Sequence, residues 1–302
     1  MRFLAVHGGC HGAWAWDFVK PEMAELGHEM VSVELPGHGS RLGETATLEA
    51  YREAVIELIE PGDVLVGHSS GCVIAILAAN ERPELVSHLC LVAGILPVEG
   101  MPLSFERESA SPGPGAELET HMRMTEGNEA FYFERPGAVA AFYNDCSEEL
   151  IDWVFPKLVP EPLAPLAVPV SVPNFWKQHD LSRSFIMGLQ DTTCFPTLAR
   201  LQAQRLGVVP LEIDAGHSPW LSQPAEFASL LVAATKTNCV GPFFRLFLCA
   251  LLEGAGGPRR RPSTFHTPPP ARLLPHSSWV RGWSGSASRR LRTEPPRSAP
   301  GR

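Results

Sequence analysis

The sequence predicts an α/β protein built on a mostly parallel, doubly wound sheet of about six strands. Short apolar runs rich in β-branched residues alternate with helical patterns over residues 1–96 and again over residues 181–238. Unbroken apolar strands suit a sheet that is covered on both faces, and their alternation with helices favours parallel pairing. The chain of 302 residues is long enough to bury one sizeable hydrophobic core.

Each element is predicted from its own local pattern. The strands are predicted at residues 3–6, 30–33, 64–66, 89–92, 184–187 and 208–213. The helices are predicted between them, at residues 14–26, 48–59, 71–80, 197–206 and 225–234. The crossovers that join these parallel strands are expected to be right-handed.

The stretch between the fourth and fifth predicted strands is far longer than an ordinary connection. It carries large aromatic side chains, among them Trp153 and Trp176, and a proline-rich passage at residues 156–173. We interpret residues 97–180 as a cap inserted over the C-terminal edge of the sheet, and residues 1–96 and 181–238 as the core. A second set of ordinary helices with no role in binding is the alternative.

Residues 239–302 differ in composition from the rest of the chain. They hold eleven arginines and two glutamates, although the whole chain carries a net charge of −8. Their Ser-, Arg-, Pro- and Gly-rich sequence favours a disordered tail, and a reading-frame accident is the alternative. The remaining acidic body does not favour nucleic acid as a partner.

The composition also predicts where the protein works. No run of about 18 apolar residues is present, so we expect no membrane-spanning helix and no membrane partner. The N-terminus lacks the charged and apolar regions of a secretory signal. Seven scattered cysteines, an odd number without metal-like pairs, fit free thiols in a reducing compartment. These patterns predict a cytoplasmic protein without a metal site.

The strongest chemical signal is a G-x-S-x-G motif formed by Gly67, Ser69 and Gly71. The motif follows an apolar strand and opens an apolar helix, which is the setting that holds a nucleophilic serine on a sharp turn. Larger side chains two residues before and after the serine would collide with the neighbouring helix and strand. We therefore predict Ser69 as a nucleophile, with a plain glycine–serine loop as the alternative.

A serine at its ordinary pKa needs a base, and His217 is the predicted one. It lies just after the last predicted strand, where catalytic groups gather in open parallel sheets. Asp191 is the only carboxylate in the loop after the preceding strand and is predicted to orient the imidazole. A loop histidine that packs on Trp220 and an aspartate that caps the next helix are the structural alternatives. Asp214 competes with Asp191 through its proximity in sequence.

A glycine-rich run follows the first predicted strand and reads His7-Gly8-Gly9-Cys10-His11-Gly12. Glycines let a backbone approach a substrate closely and turn its N–H groups inward. The amides of Gly9 and of Ser70, which follows the nucleophile, are the predicted oxyanion donors. A plain glycine-rich turn is the alternative.

Four segments carry a family resemblance over about residues 1–237: His7-Gly8-Gly9-Cys10-His11-Gly12-Ala13-Trp14, Gly67-His68-Ser69-Ser70-Gly71, Gly216-His217-Ser218-Pro219, and Phe142-Tyr143-Asn144-Asp145-Cys146. They resemble the methylesterase and hydroxynitrile lyase group of the α/β-hydrolase superfamily and its bacterial esterase relatives. The resemblance implies an α/β-hydrolase fold with a six-stranded parallel core, a mostly helical cap and no cofactor. It also implies Gly9 and Ser70 as oxyanion donors and Asp191 as the acid.

The chain departs from the group at two positions. The lyases carry threonine where this chain has Gly8 and lysine where it has Ser218, so cyanohydrin chemistry is disfavoured. The run Glu34-Leu35-Pro36-Gly37-His38-Gly39-Ser40 resembles the broader superfamily rather than the plant esterases, which argues against a plant-hormone ester.

The predicted function is hydrolysis of a carboxylic ester of a small or mid-sized, largely apolar substrate. Ser69, His217 and Asp191 would act as a catalytic triad through an acyl-enzyme intermediate, without cofactor or metal. A small-molecule receptor on the same fold with little turnover is the alternative, and a hydroxynitrile lyase is a less favoured one.

Overall fold

The computed structural model describes residues 1–103 and 121–236, all within one compact unit that spans Met1–Cys249. Its strands are β1 (Arg2–Val6), β2 (Glu29–Val33), β3 (Asp63–His68), β4 (Val86–Val92), β5 (Met101–Pro102), β6 (Met122–Met124), β7 (Ala130–Phe133), β8 (Glu161–Pro162), β9 (Pro169–Val170), β10 (Arg183–Gly188) and β11 (Leu211–Ile213). Six of them form the main sheet, in the order β11-β10-β4-β3-β1-β2, and every pair in it is parallel. The predicted fold class is confirmed.

Nine α-helices are present within residues 1–103 and 121–236. They are α1 (Val19–Glu25), α2 (Leu48–Ile56), α3 (Gly71–Glu81), α4 (Arg135–Phe142), α5 (Glu148–Val154), α6 (Ala164–Ala167), α7 (Pro196–Leu206), α8 (Pro219–Ser222) and α9 (Pro224–Ala234). Nine of the eleven residues of α3 are buried, and so is all of β3. A helix and a strand that are apolar on all sides belong at the centre of a layered core, and the turn between them therefore has little room to move.

Two predicted elements are shorter than their sequence patterns. The helix predicted over residues 14–26 is divided into a 3-10 turn at Ala13–Trp16 and helix α1. The strand predicted over residues 208–213 begins only at Leu211. Gly207 ends α7 in the left-handed conformation, Val209 is 79% exposed, and Pro210 has no N–H for a ladder hydrogen bond. Residues 208–210 are therefore a connection.

The region between β4 and β10 combines helices with two small antiparallel sheets. Strands β6, β7 and β8 form one sheet, strands β5 and β9 form the other, and α4, α5 and α6 lie in the same region. The small sheets were not predicted. The boundaries 97–180 stay a prediction, and the predicted tail at residues 239–302 lies outside the described residues. Within residues 1–103 and 121–236, no helix is long and apolar enough to cross a membrane.

Candidate active site

The turn from β3 into α3 holds Ser69 in a backbone conformation that residues other than glycine rarely adopt. Its φ angle is +52°, in the left-handed region. A Cβ at Gly67 would lie 2.7 Å from the Cα of Cys72, and a Cβ at Gly71 would lie 2.3 Å from the carbonyl oxygen of His7. The first contact is with helix α3 and the second is with the end of β1. Both glycines are therefore required by the close approach of neighbouring backbone.

His217 and Asp191 are joined by a buried hydrogen bond. The Nδ1 of His217 donates to Oδ2 of Asp191 over 2.9 Å, and both side chains are almost fully buried. The other carboxylate oxygen of Asp191 accepts the backbone N–H groups of Thr193, at 2.7 Å, and Cys194, at 2.9 Å. These bonds fix the carboxylate, and with it the orientation of the imidazole. Asp214 is exposed and accepts a hydrogen bond from the Gln190 side chain instead.

The second imidazole nitrogen of His217, Nε2, is buried and has no hydrogen-bond partner among the residues that the structure describes. The structure therefore contains no hydrogen bond between this nitrogen and the hydroxyl of Ser69. Ser69 and His217 are nevertheless linked through two shared neighbours, His68 and Phe142. His68, the neighbour of Ser69, donates its Nε2–H to the carbonyl oxygen of His217 over 2.8 Å. The ring of Phe142 lies 5.8 Å from the imidazole of His217 and lines the same cavity as Ser69.

That cavity has a volume of about 160 Å³ and lies between the core and the cap. Gly9, Ser69 and Ser70 line it, and Phe131, Phe133 and Leu198 are among its apolar lining residues. A Cβ at Gly9 would lie 3.5 Å from the Ser70 hydroxyl oxygen, so the loop after β1 and the start of α3 are in close proximity. The two residues predicted to supply the oxyanion donors therefore lie close together and line one cavity.

The loop after β1 is held by histidines that sequence analysis did not assign. The Nδ1 of His11 contacts the carbonyl oxygen of Gly9 over 2.6 Å, and its Nε2 contacts the hydroxyl of Tyr143 over 2.8 Å. Burial lowers the pKa of His11 to about 3. A neutral ring fits both contacts, because Nδ1–H can donate to the carbonyl oxygen while Nε2 accepts from the tyrosine.

A carboxylate from the cap, Glu161, was also missed. It is buried, lines the cavity, and contacts Cys10 and His38 through one oxygen. It is flanked by two prolines in a passage without a recognisable motif. The only sequence signal is an acidic residue within an otherwise apolar and proline-rich segment.

The cap also contacts the loops that carry His217 and Asp191. The Asn144 side chain donates to the carbonyl oxygen of Gln190 over 2.8 Å, and the Asp145 carboxylate accepts the backbone N–H of Gly216 over 2.7 Å. The hydroxyl of Thr193 donates to the carbonyl oxygen of Ala141 over 2.7 Å. The segment Phe142-Tyr143-Asn144-Asp145-Cys146, which carried part of the resemblance, therefore lies against both loops.

The sequence is similar to those of several known plant proteins. The chain is 34% identical to methylesterase 2 of Arabidopsis thaliana over 146 residues, which are 43% of this chain and 56% of that protein. It is 27% identical to salicylic acid-binding protein 2 of Nicotiana tabacum over 257 residues, which are 78% of this chain and 98% of that protein. The match thus spans about half the length of the methylesterase and nearly all of the tobacco protein.

Solved structures agree on the fold. An extracellular α/β-hydrolase from a Paenibacillus species superimposes with a TM-score of 0.67 at 22% identity, over 78% of this chain and 98% of that one. The family model described as "Alpha/beta hydrolase family" matches residues 3–230. This match covers most of the 302 residues and includes every candidate site residue, so the chain belongs to the alpha/beta hydrolase family.

Proposed function

We propose that the chain is a serine hydrolase that cleaves carboxylic esters of small or mid-sized, largely apolar substrates. Ser69 is the nucleophile, His217 the general base and acid, and Asp191 the residue that orients the imidazole. The amides of Gly9 and Ser70 stabilise the oxyanion. The catalytic unit comprises the core at residues 1–96 and 181–238 with the cap at residues 97–180.

One observation carries this proposal. His217 donates from Nδ1 to a fixed carboxylate, and its Nε2 is buried without a partner among the described residues. A buried nitrogen left without a hydrogen bond is unfavourable in a structural role, because desolvation is then uncompensated. A bound substrate and the hydroxyl of Ser69 supply such a partner during catalysis, since catalytic hydrogen bonds often form only in the complex.

The proposed reaction proceeds in two steps. Ser69 attacks the ester carbonyl while Nε2 of His217 takes its proton and passes it to the departing alcohol. A water molecule activated by the same nitrogen then releases the acid. Asp191 stabilises the imidazolium in both steps, and the amides of Gly9 and Ser70 receive the negative charge on the carbonyl oxygen.

The substrate class follows from the size and lining of the cavity. Its volume of about 160 Å³ and its phenylalanine-rich wall favour a compact apolar acyl or alcohol group. The plant relatives named methylesterases support an ester as the substrate.

A fluorophosphonate probe and a panel of 4-nitrophenyl esters of increasing acyl length test the proposal. The wild type is expected to become labelled at Ser69 and to hydrolyse the shorter esters. Ser69→Ala is expected to lose labelling and to lower kcat by about 10⁵- to 10⁶-fold. An unlabelled but folded wild type, or equal labelling of both proteins, would contradict the assignment.

Ser184→Ala is the matched control for this experiment. The Ser184 hydroxyl lies 2.8 Å from a histidine, His88, which contacts a second serine, Ser182, rather than a carboxylate, and this pair is buried in the sheet. We expect Ser184→Ala to keep labelling and turnover. Loss of labelling in this variant would indicate that the nucleophile is Ser184, paired with His88, and not Ser69.

A small-molecule receptor with little turnover is the second candidate, because one relative is named a salicylic acid-binding protein. Saturable binding of a small aromatic acid, without turnover of any ester in the panel, would favour it.

A lyase role is disfavoured further by the lack of space for a side chain at Gly8. A Cβ there would lie 2.8 Å from the Cβ of Ser69, which leaves no room for the threonine of the lyases.

A further inference from the structure

The cap inserts one buried carboxylate, Glu161, against the loop that follows β1. This residue is 2% exposed, and its Oε2 accepts the backbone N–H of Cys10 over 2.6 Å. The same oxygen lies 3.0 Å from Nε2 of His38. Burying an ionised carboxylate is unfavourable unless it is paired and hydrogen-bonded, so this arrangement is a specific one.

His38 has the hydrogen-bonding pattern of a charged imidazolium. Its Nε2 contacts the carboxylate oxygen of Glu161, and its Nδ1 lies 3.2 Å from the carbonyl oxygen of Pro36. Both partners are acceptors, so both ring nitrogens must donate, and only the protonated ring has two N–H groups. The charge of Glu161 is therefore balanced locally, and its bond to the Cys10 amide is a charge-assisted one.

The bonded amide belongs to the peptide that directly follows Gly9. The carbonyl oxygen of this peptide receives the Nδ1–H of His11 over 2.6 Å, while its N–H donates to Glu161. Cys10 itself has a φ angle of +64°, in the left-handed region that a cysteine rarely adopts. The N–H of Val159 donates to the carbonyl oxygen of Cys10 over 3.0 Å, so residues 159–161 of the cap hold Cys10 from both sides.

From these contacts we propose that Glu161 is a positioning residue that fixes the oxyanion donor Gly9 in its catalytic orientation; this inference rests on the proposed function. A glycine adopts many backbone angles, so the direction of its N–H depends on how its two flanking peptides are held. Glu161 and His11 hold the following peptide. A donor that is fixed before the reaction stabilises the developing oxyanion more than the substrate carbonyl. Loss of the contact should therefore lower kcat rather than raise KM.

Three variants at this position test the proposal against a matched control. Glu161→Ala removes the acceptor of the Cys10 amide and should lower kcat by about 10- to 100-fold, below the loss for a deleted donor. KM should change by less than about threefold. Binding of an aryl trifluoromethyl ketone, which forms an oxyanion on Ser69, should weaken in parallel with kcat.

Glu161→Gln provides a rescue, because a single oxygen of Glu161 accepts both bonds and the amide oxygen can replace it. This variant should recover most of the lost kcat. Glu129→Gln removes an exposed carboxylate of the cap and should leave kcat and KM unchanged. Should Glu161→Ala fail to fold, Glu161→Asp withdraws the oxygen by one methylene and should show the same loss of kcat.

The possible outcomes separate the two proposals. A wild type without turnover or labelling of Ser69 defeats the proposed function and this inference with it. A fully active wild type with unchanged kcat in folded Glu161→Ala or Glu161→Asp defeats the inference alone. A raised KM with unchanged kcat, or an equal loss in the Gln and Ala variants, would assign Glu161 a role in substrate binding or in cap stability instead.

Discussion

At the scale of single residues, Asp191 determines which nitrogen of His217 is free. One of its oxygens is occupied by two backbone N–H groups, and the other accepts Nδ1–H of the imidazole. This leaves Nε2 as the ring nitrogen of His217 that is available to accept a proton. The assignment of the tautomer follows from the acceptor at Asp191 and not from the histidine itself.

Replacing Asp191 with asparagine should therefore impair catalysis while preserving the fold. The amide oxygen of Asn can still accept the N–H groups of Thr193 and Cys194, so its NH₂ group then faces Nδ1 of His217. The imidazole would carry its proton on Nε2 and could not act as a base. We expect kcat for a 4-nitrophenyl ester to fall by about 10³- to 10⁴-fold.

Asp214→Asn is the control for this substitution, because Asp214 was the competing acid in the sequence. It is exposed and bonded to Gln190, so kcat should stay within about threefold of the wild type. The reverse pattern, with activity lost in Asp214→Asn and kept in Asp191→Asn, would exchange the roles of the two aspartates.

The sequence alone identifies candidate residues whose pattern is local in the chain, and their catalytic roles stay a prediction. The elbow at Ser69 is recognisable because its glycines are two residues away on either side. Glu161 was not predicted, because it is 151 residues from Cys10 in sequence and meets it only through the folded cap. The protonation state of His38 depends on Glu161, which is 123 residues away in sequence, and that of His11 depends on its burial in the folded protein.

At the scale of elements, the packing of α3 against β1 leaves no space for a side chain at its first residue. A Cβ at Gly71 would meet the carbonyl oxygens of His7, at 2.3 Å, and Val6, at 2.8 Å. These atoms belong to the backbone at the end of a central strand and cannot move without shifting the sheet.

Gly71→Ala should consequently destabilise the protein, although alanine is the better helix former by about 1 kcal/mol. We expect the free energy of unfolding in urea to fall by about 1–3 kcal/mol through overpacking. Gly43→Ala is the control, because a Cβ there meets nothing within 4 Å, and its stability should change by less than about 0.5 kcal/mol. Equal stability of both variants would show that α3 can move away from β1.

The length of an element was harder to predict than its existence. Residues 208–210 are apolar and β-branched in part, but Gly207 and Pro210 exclude them from the sheet. The small sheets of the cap escaped prediction because their strands are two to four residues long, too short for a periodic pattern. Both differences arise where tertiary contacts outweigh the local pattern.

At the scale of the whole molecule, the fold buries several histidines in the neutral form. Burial lowers the pKa of His7, His11, His68 and His88, the last to about 4. At pH values below the ordinary histidine pKa of about 6.5, these histidines are protonated in the unfolded chain but stay neutral in the folded protein. The free energy of unfolding therefore falls as the pH drops from about 6.5.

His38 acts in the opposite direction. Burial alone would lower its pKa, but the hydrogen bond to Glu161 and the charge of that residue outweigh burial and raise the pKa. Its stabilising contribution is present below the pKa of the unfolded chain and is lost as the pH rises through the folded value. The opposite effects of His38 and of the four neutral histidines together favour maximal stability near neutral pH.

His88 offers a test of this pH dependence away from the candidate site, because it contacts only the hydroxyls of Ser182 and Ser184 among its described polar partners. Between pH 6 and 4.5, the unfolding free energy of His88→Gln should depend on pH less steeply than that of the wild type, by about 1 kcal/mol per pH unit. Urea titrations at several pH values measure these slopes, which should coincide at pH 8. Identical slopes in acid would mean that His88 protonates freely in the folded state.

The hydrogen bonds that Asn144 and Thr193 donate and that Asp145 accepts have a consequence for protein engineering. A cap that lacks the equivalents of Asn144 and Asp145, if spliced between β4 and β10, would not make the side-chain contacts that hold the loops of Asp191 and His217. Recombination partners would have to retain residues 140–145 and 159–161 from this chain. The part of the cap that can be exchanged freely is thus smaller than the full insertion at residues 97–180.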